Sequence, residues 1–154
     1  MTKFIDTPHG SRIAYNQIIG KKNGIVFLSG FGSDMQGKKA LFIEKWAKNN
    51  NHSFLRFDYS GHGVSSGKLN ETYFSDWYKD AEFLITKLTK GKQILIGSSM
   101  GGWVMLMLSK LITQKISAMI GLAAAPDFPK TLIWDKMDKI QKRELIINKF
   151  ITFT

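Results

Sequence analysis

The stretch Ile94-Leu95-Ile96-Gly97-Ser98-Ser99-Met100-Gly101-Gly102-Trp103 constrains the fold more than any other part of the chain. It reads as a short buried strand, a tight turn carrying serine, and an apolar helix. Gly97, Ser99 and Gly101 spell G-x-S-x-G. A chain that doubles back from strand to helix leaves no room for side chains two residues before and two after the turn, and glycine meets that need at both places. Ser98 fails in this frame, because the residue two before it is Ile96. A serine held in such a turn points its hydroxyl out of the sheet, where a base can take its proton. The helix behind it aims free N–H groups and the positive end of its dipole at any anion formed there. Ser99 is therefore the candidate nucleophile.

The rest of the chain supplies the setting for such a turn. Lys3 to Asp6 and Arg12 to Ile19 read as two strands joined by a turn. Ile25 to Leu28 is a continuous apolar run, as expected of a strand covered on both faces. Ser53 to Phe57, Gln93 to Ile96 and Ile116 to Leu122 are three further strands. Helices are expected at Lys38 to Lys48, Phe74 to Leu88 and Ser99 to Leu111. The second is plainly amphipathic, with Phe74, Trp77, Tyr78, Ala81, Leu84, Ile85 and Leu88 at helical spacing. Asp76, Lys79, Asp80, Glu82 and Lys87 are assigned to its other side. The third is apolar nearly all round and is expected to be buried. Beyond Asp127 the pattern turns helical, over Thr131 to Met137 and Lys142 to Phe150.

Strands alternating with helices imply an α/β fold: a mostly parallel sheet with helices on both faces. Ligands in such sheets sit at the carboxyl ends of the strands. Three glycine-rich loops follow Leu28, Phe57 and Ile96, so all three are expected to converge on that edge. In the first, the Phe31 N–H is placed to hold an oxyanion together with the Met100 N–H. The second, Asp58 to Ser65, has spacing that fits neither a P-loop nor a dinucleotide fingerprint. It reads as a structural loop bordering the pocket, with His62 part of its turn.

Composition narrows the chemistry. The absence of cysteine excludes disulfides and thiolate chemistry, and three scattered histidines (His9, His52, His62) argue against a metal centre. No cofactor is expected. The net charge of +10 raises nucleic acid as a partner. The basic residues are nearly all lysines spread along the chain, however, and only Arg12, Arg56 and Arg143 are arginines. That pattern fits a solvated surface better than a nucleic-acid reader. No apolar run approaches the roughly 20 residues of a membrane span, and Met1 to Asp6 lacks the form of a signal peptide. A cytoplasmic location is expected.

Gly30-Phe31, Asp58-Tyr59-Ser60-Gly61-His62-Gly63-Val64-Ser65 and Gly97-Ser98-Ser99-Met100-Gly101-Gly102-Trp103, in that order, resemble the α/β-hydrolase superfamily. The Phe57-Asp58-Tyr59-Ser60-Gly61 segment and the Ile120-Gly121-Leu122-Ala123 strand bring the chain nearest to the mitochondrial and bacterial branch of acyl-protein thioesterases and acyl-glucuronide esterases. The resemblance covers Ile13 to about Asp127. It implies ester or thioester hydrolysis through an acyl-enzyme on Ser99, with Phe31 and Met100 as oxyanion donors. The family's sheet has eight strands, and its acid and histidine usually follow the seventh and eighth. This chain is expected to form about six strands (1–127) and the start of a helical lid (128–154), truncated relative to the family. No residue matches the family's histidine. Asp127 follows the sixth strand, where some members place the acid. The alternative is an inactive remnant, or one part of a split hydrolase. In either case the exposed edge of the Ile116 strand invites self-association or a partner chain.

Overall fold

The computed structural model describes residues 1–148. Six strands form one sheet in the order β1-β2-β4-β3-β5-β6. They are β1 (Lys3–Asp6), β2 (Arg12–Ile18), β3 (Lys22–Leu28), β4 (His52–Phe57), β5 (Gln93–Ser98) and β6 (Ile116–Leu122). The first two strands run antiparallel, and β4, β3, β5 and β6 are mutually parallel. The helices are α1 (Lys38–Asn49), α2 (Phe74–Leu88), α3 (Met100–Leu111) and α4 (Lys139–Asn148).

The period of two along β3 and β4 divides the core into two layers. Ile25, Phe27, Phe54 and Ile96 face Ala40 and Ala47 of α1. Val26, Leu28, Leu55, Phe57 and Leu95 face the other way, onto Ala81, Leu84 and Ile85 of α2 and Val104 and Leu108 of α3. Helices thus cover both faces, as the alternating pattern requires, and β3 sits at the centre because both its faces are apolar. A cavity of about 530 Å³ lies at the opposite end of the sheet from the three glycine-rich loops and is lined by Gly20, Asn23, Gly91 and Gln93 among others.

Three expectations need correction. Asp80 is fully buried, not on the polar side of α2. It lies three residues after Trp77 and four before Leu84, within the apolar stripe, and its carboxylate is satisfied there by hydrogen bonds. Helix α3 is not buried all round: Leu106 and Leu111 are exposed. The stretch expected as a helix from Thr131 forms instead a π-helical turn, Pro129–Ile133, and a 3₁₀ turn, Trp134–Lys136. The last expected helix is present as α4, while Phe150, its expected end, lies outside the described residues.

Candidate active site

Strand β5 delivers the chain to Ser99, which stands at the N-terminus of α3 with φ 52° and ψ −119°. This is left-handed backbone that a residue with a Cβ rarely adopts, a cost that persists only where the surroundings enforce it. Three backbone hydrogen bonds enforce it here. Ser99 N–H donates to the Leu122 carbonyl at 3.1 Å, and the Ser99 carbonyl accepts from Gly102 N–H at 2.9 Å and Ala125 N–H at 3.1 Å. The elbow is thereby stitched to its own helix and to the end of β6.

The two flanking glycines are required by contact. A Cβ on Gly97 would meet the backbone of Gly101 and Gly102, and one on Gly101 would run into the Leu28 and Ser29 backbone. Ser99 is exposed between buried Ser98 and buried Met100. The Ser98 hydroxyl instead accepts a hydrogen bond from Lys39 Nζ at 2.9 Å, on the α1 side of the sheet. Of the two serines, Ser99 alone is presented to solvent.

The loop after β3 closes against the elbow. A Cβ on Gly30 would lie 3.3 Å from the Ser99 Cβ, so this loop passes the nucleophile at van der Waals range. Ser33 N–H donates to the Gly30 carbonyl at 3.1 Å, making Gly30-Phe31-Gly32-Ser33 a tight turn. Among the described residues the N–H groups of Phe31 and Met100 find no backbone acceptor outside regular structure. Both are thus free to serve an anion formed at Ser99.

The second glycine-rich loop, after β4, braces the first. His62 is buried; its Nε2 accepts from Gly32 N–H at 3.2 Å and its Nδ1 donates to the Ser60 carbonyl at 3.1 Å. Burial holds His62 below the usual imidazole range, although the Ser60 hydrogen bond and the Asp58 and Asp80 charges pull the other way. Asp58 receives Met35 N–H at 2.6 Å on one oxygen and Val64 N–H at 3.0 Å on the other. Burial nonetheless raises its carboxyl above the usual carboxylate range. Buried Asp80 accepts from Ser60 N–H at 2.8 Å, from Ser60 Oγ at 2.7 Å, and pairs with His9 Nε2 at 2.7 Å. An aromatic cluster surrounds this corner: Phe31 lies 5.7 Å from Trp77 and 6.3 Å from Phe128, and Phe74 stacks on Trp103 at 3.7 Å.

The expected site residues fall into two groups. Ser99, Met100 and the Phe31 loop are brought together. Asp127 sits in the turn after β6, exposed, with φ 57°, and its carbonyl accepts from Lys130 N–H at 2.9 Å. Each of the three histidines is engaged elsewhere: His9 with Asp80, His62 with Gly32 and Ser60, and His52 with the Asn23 carbonyl at 2.8 Å. The His9–Asp80–Ser60 network is the part of the site that sequence reasoning missed. Among the described residues no group of three or more His, Cys, Asp or Glu could hold a metal ion, and no helix is long and apolar enough to cross a membrane.

Comparison with known proteins supports the fold. A palmitoyl-protein thioesterase of rat mitochondria, ABHD10, is 44% identical over 124 residues, which are 80% of this chain and 42% of the relative. The chain therefore spans about two fifths of the length of the curated relatives it matches. The solved structure of mouse alpha/beta hydrolase domain-containing protein 10 superposes with a TM-score of 0.92 at 35% identity, covering 100% of this chain and 61% of that one. Est1E from Butyrivibrio proteoclasticus, solved with ferulic acid, shares the fold at a TM-score of 0.75 and 20% identity, over 83% of this chain and 55% of that one. The sequence model of the alpha/beta hydrolase fold matches residues 24–143. With its mostly parallel six-stranded sheet, its elbow after β5 and this match, the chain belongs to the alpha/beta hydrolase fold family.

Proposed function

We propose that the chain carries the nucleophile and oxyanion half of a serine hydrolase that cleaves carboxylic esters or thioesters. The observation that carries this reading is Ser99 itself: an exposed hydroxyl on strained backbone, with the Gly30 loop against it. Ser99 Oγ attacks the substrate carbonyl, and the Phe31 and Met100 N–H groups hold the resulting oxyanion. The leaving alcohol or thiol departs, and water releases the acyl group from Ser99. The thioesterase named among the relatives supports a thioester as substrate, and the aromatic cluster of Phe31, Trp103 and Phe128 gives the acyl group an apolar wall.

The base is the open position. With all three histidines engaged elsewhere, it comes in this reading from a segment or chain that pairs along the edge of β6 that is unpaired among the described residues, with Asp127 as the candidate acid. Residues 128–148 then begin the lid over the site. A cytoplasmic setting belongs to this proposal; the mitochondrial location is that of the named relatives. A second reading, an inactive remnant, is favoured by the same three engaged histidines. A fluorophosphonate probe separates the two. Labelling of the chain that is abolished in Ser99→Ala is the expected result. An unlabelled chain with a native circular dichroism spectrum overturns the hydrolase reading. An intact oxyanion hole without the base still leaves about 10³–10⁴-fold acceleration over water, so slow labelling counts in its favour.

A further inference from the structure

We propose that neutral His62 is a positioning residue, pinning the 30–33 turn so that the Phe31 N–H faces the oxyanion formed at Ser99. The catalytic half of this inference rests on the reading of Ser99 as nucleophile.

The two partners of the imidazole fix its state. A carbonyl only accepts, so Nδ1, 3.1 Å from the Ser60 carbonyl, carries the proton. A backbone N–H only donates, so Nε2, 3.2 Å from Gly32 N, carries the lone pair. Only the neutral Nδ1–H tautomer satisfies both.

The place of the pin is what gives it a function. Gly30-Phe31-Gly32-Ser33 is closed by the Ser33 N–H to Gly30 carbonyl bond, and Gly32 has φ +66°. A positive φ at the third residue of such a turn marks type II geometry. Types I and II differ by a flip of the central peptide, and here that peptide joins Phe31 to Gly32. Its N–H is the one His62 holds. The flip itself turns ψ at Phe31 and φ at Gly32 and leaves φ at Phe31 unchanged, so what the pin holds is the turn as a body. With Gly32 released, the 30–33 turn loses its tie to the second loop, and the Phe31 N–H, the oxyanion donor, loses the support that keeps it beside Ser99. Ring packing constrains Phe31 only in part: it is 53% exposed, and its ring meets Trp77 at 5.7 Å, His62 edge-on at 6.2 Å and Phe128 at 6.3 Å, contacts that hold the side chain and not the Phe31–Gly32 peptide.

His62 is itself held hard. It is 3% exposed, and its ring meets Tyr59 at 5.6 Å and Trp77 at 5.1 Å, both near-perpendicular. Trp77 Nε1 donates to the same Ser60 carbonyl at 3.1 Å, and Ser60 is anchored through Asp80 to His9. The chain of contacts runs from α2 through the second loop to the first. Protonation would place a second N–H opposite the Gly32 N–H, so the cation cannot keep the pin. The charged and titratable groups facing His62 are Asp58 and Tyr59 on its own loop and Asp80 on α2. The 30–33 turn presents only Phe31 and Gly32.

The test has two arms on the full chain. In the first, fluorophosphonate labelling of Ser99 is timed in wild type, His62→Leu and His62→Gln. Leu removes the acceptor; Gln can return an oxygen near the Nε2 position. The expected result is a labelling rate at least about tenfold lower in His62→Leu, within the roughly 10²–10³-fold that loss of a whole oxyanion donor costs, and largely restored in His62→Gln. In wild type the rate also falls with acid as His62 protonates, beyond any fall in His62→Gln. In the second arm, the Gly32 amide is followed by ¹H–¹⁵N resonance through the same pH range. Its shift is expected to move with His62 titration in wild type and to stay level in His62→Gln. Wild-type labelling rates in a folded His62→Leu, or a Gly32 amide indifferent to His62, overturn the proposal. If His62→Leu does not fold, the Gln variant and the pH series decide. If wild type is never labelled, the reading of Ser99 falls, and the amide arm alone judges the pin.

Discussion

Strands β5 and β6 are parallel neighbours in one sheet, and both end at the candidate site, yet they are built to different tolerances. Five of the six residues of β5 are buried, between β3 on one side and β6 on the other. In β6 the five residues from Ser117 to Gly121 are all exposed, and among the described residues it pairs with β5 alone. The loop after β5 has no spare volume, since a methyl group on Gly97 or Gly101 meets backbone. Leu122 at the end of β6 and Ala125 in the loop after it are each tied to Ser99 by one backbone bond, and the loop then opens to solvent at Asp127. The difference separates two jobs. In the proposed reading, loops that touch one another present the nucleophile and its oxyanion donors, and the acid and base are left to the open side of the sheet.

The sharpest way to break this comparison is to put volume into the elbow. In Gly101→Val the side chain would enter the space of the Leu28 carbonyl, and the strand cannot yield without dislodging the oxyanion loop that follows it. We expect a loss of about 3 kcal/mol or more, read as a lowered denaturation midpoint, together with loss of Ser99 labelling. A folded, labelled variant would show that the elbow has slack.

Asp80 tests the brace behind the elbow. In Asp80→Ala the buried Ser60 N–H and hydroxyl lose their acceptor, and His9 loses its partner. An unsatisfied buried donor costs about 1–3 kcal/mol, and that is the expected loss of stability by urea titration. Asp80→Asn keeps one acceptor oxygen and should fall between the variant and wild type. Equal stability for all three would mean the network is decoration.

His62 gives a smaller effect with a definite sign. Its pKa in the folded chain is lowered by burial, so folding favours the neutral ring. The resulting stability is fully present above the ordinary imidazole value of about 6.5 and is lost as pH falls through the folded value. Wild type should therefore lose more stability than His62→Gln between neutral and mildly acid pH. A parallel pair of curves would contradict the cause assigned to the shift.

How legible all this was in the sequence depends on how local the cause was. The elbow was readable because its constraints lie within five residues, Gly97 to Gly101, and because an apolar strand and helix flank them. The layering of the core was readable because Ile25 to Leu28 is apolar at both parities. Asp80 was misread through a preference for residue type over position: a carboxylate three after Trp77 and four before Leu84 lies on the inner stripe of a helix. The spacing held that signal, but the partners did not lie nearby, since His9 is 71 residues away. The role of His62 was half legible. Its neighbours Gly61 and Gly63 marked a turn, but its grip on Gly32 is a contact between loops that no local pattern carries.

The exposed face of β6 yields the smallest expected effect and the other limit of the comparison. Met119 and Ile120 are 43% and 46% exposed on successive positions, so they point to opposite faces of the sheet. Neither is held on its outer side by another strand among the described residues. Replacing either by lysine should change the stability of the chain by no more than about 0.5 kcal/mol, against about 2–5 kcal/mol for Leu95→Ala in β5, where the same sheet is closed on both sides. Sedimentation gives a second reading of the same variants. If the apolar edge pairs with a second copy, Ile120→Lys should shift the chain towards monomer, because charge on an edge strand opposes pairing. A stability loss above about 1 kcal/mol without any change in sedimentation would mean that β6 is packed as tightly as β5, and the two strands would no longer divide the work.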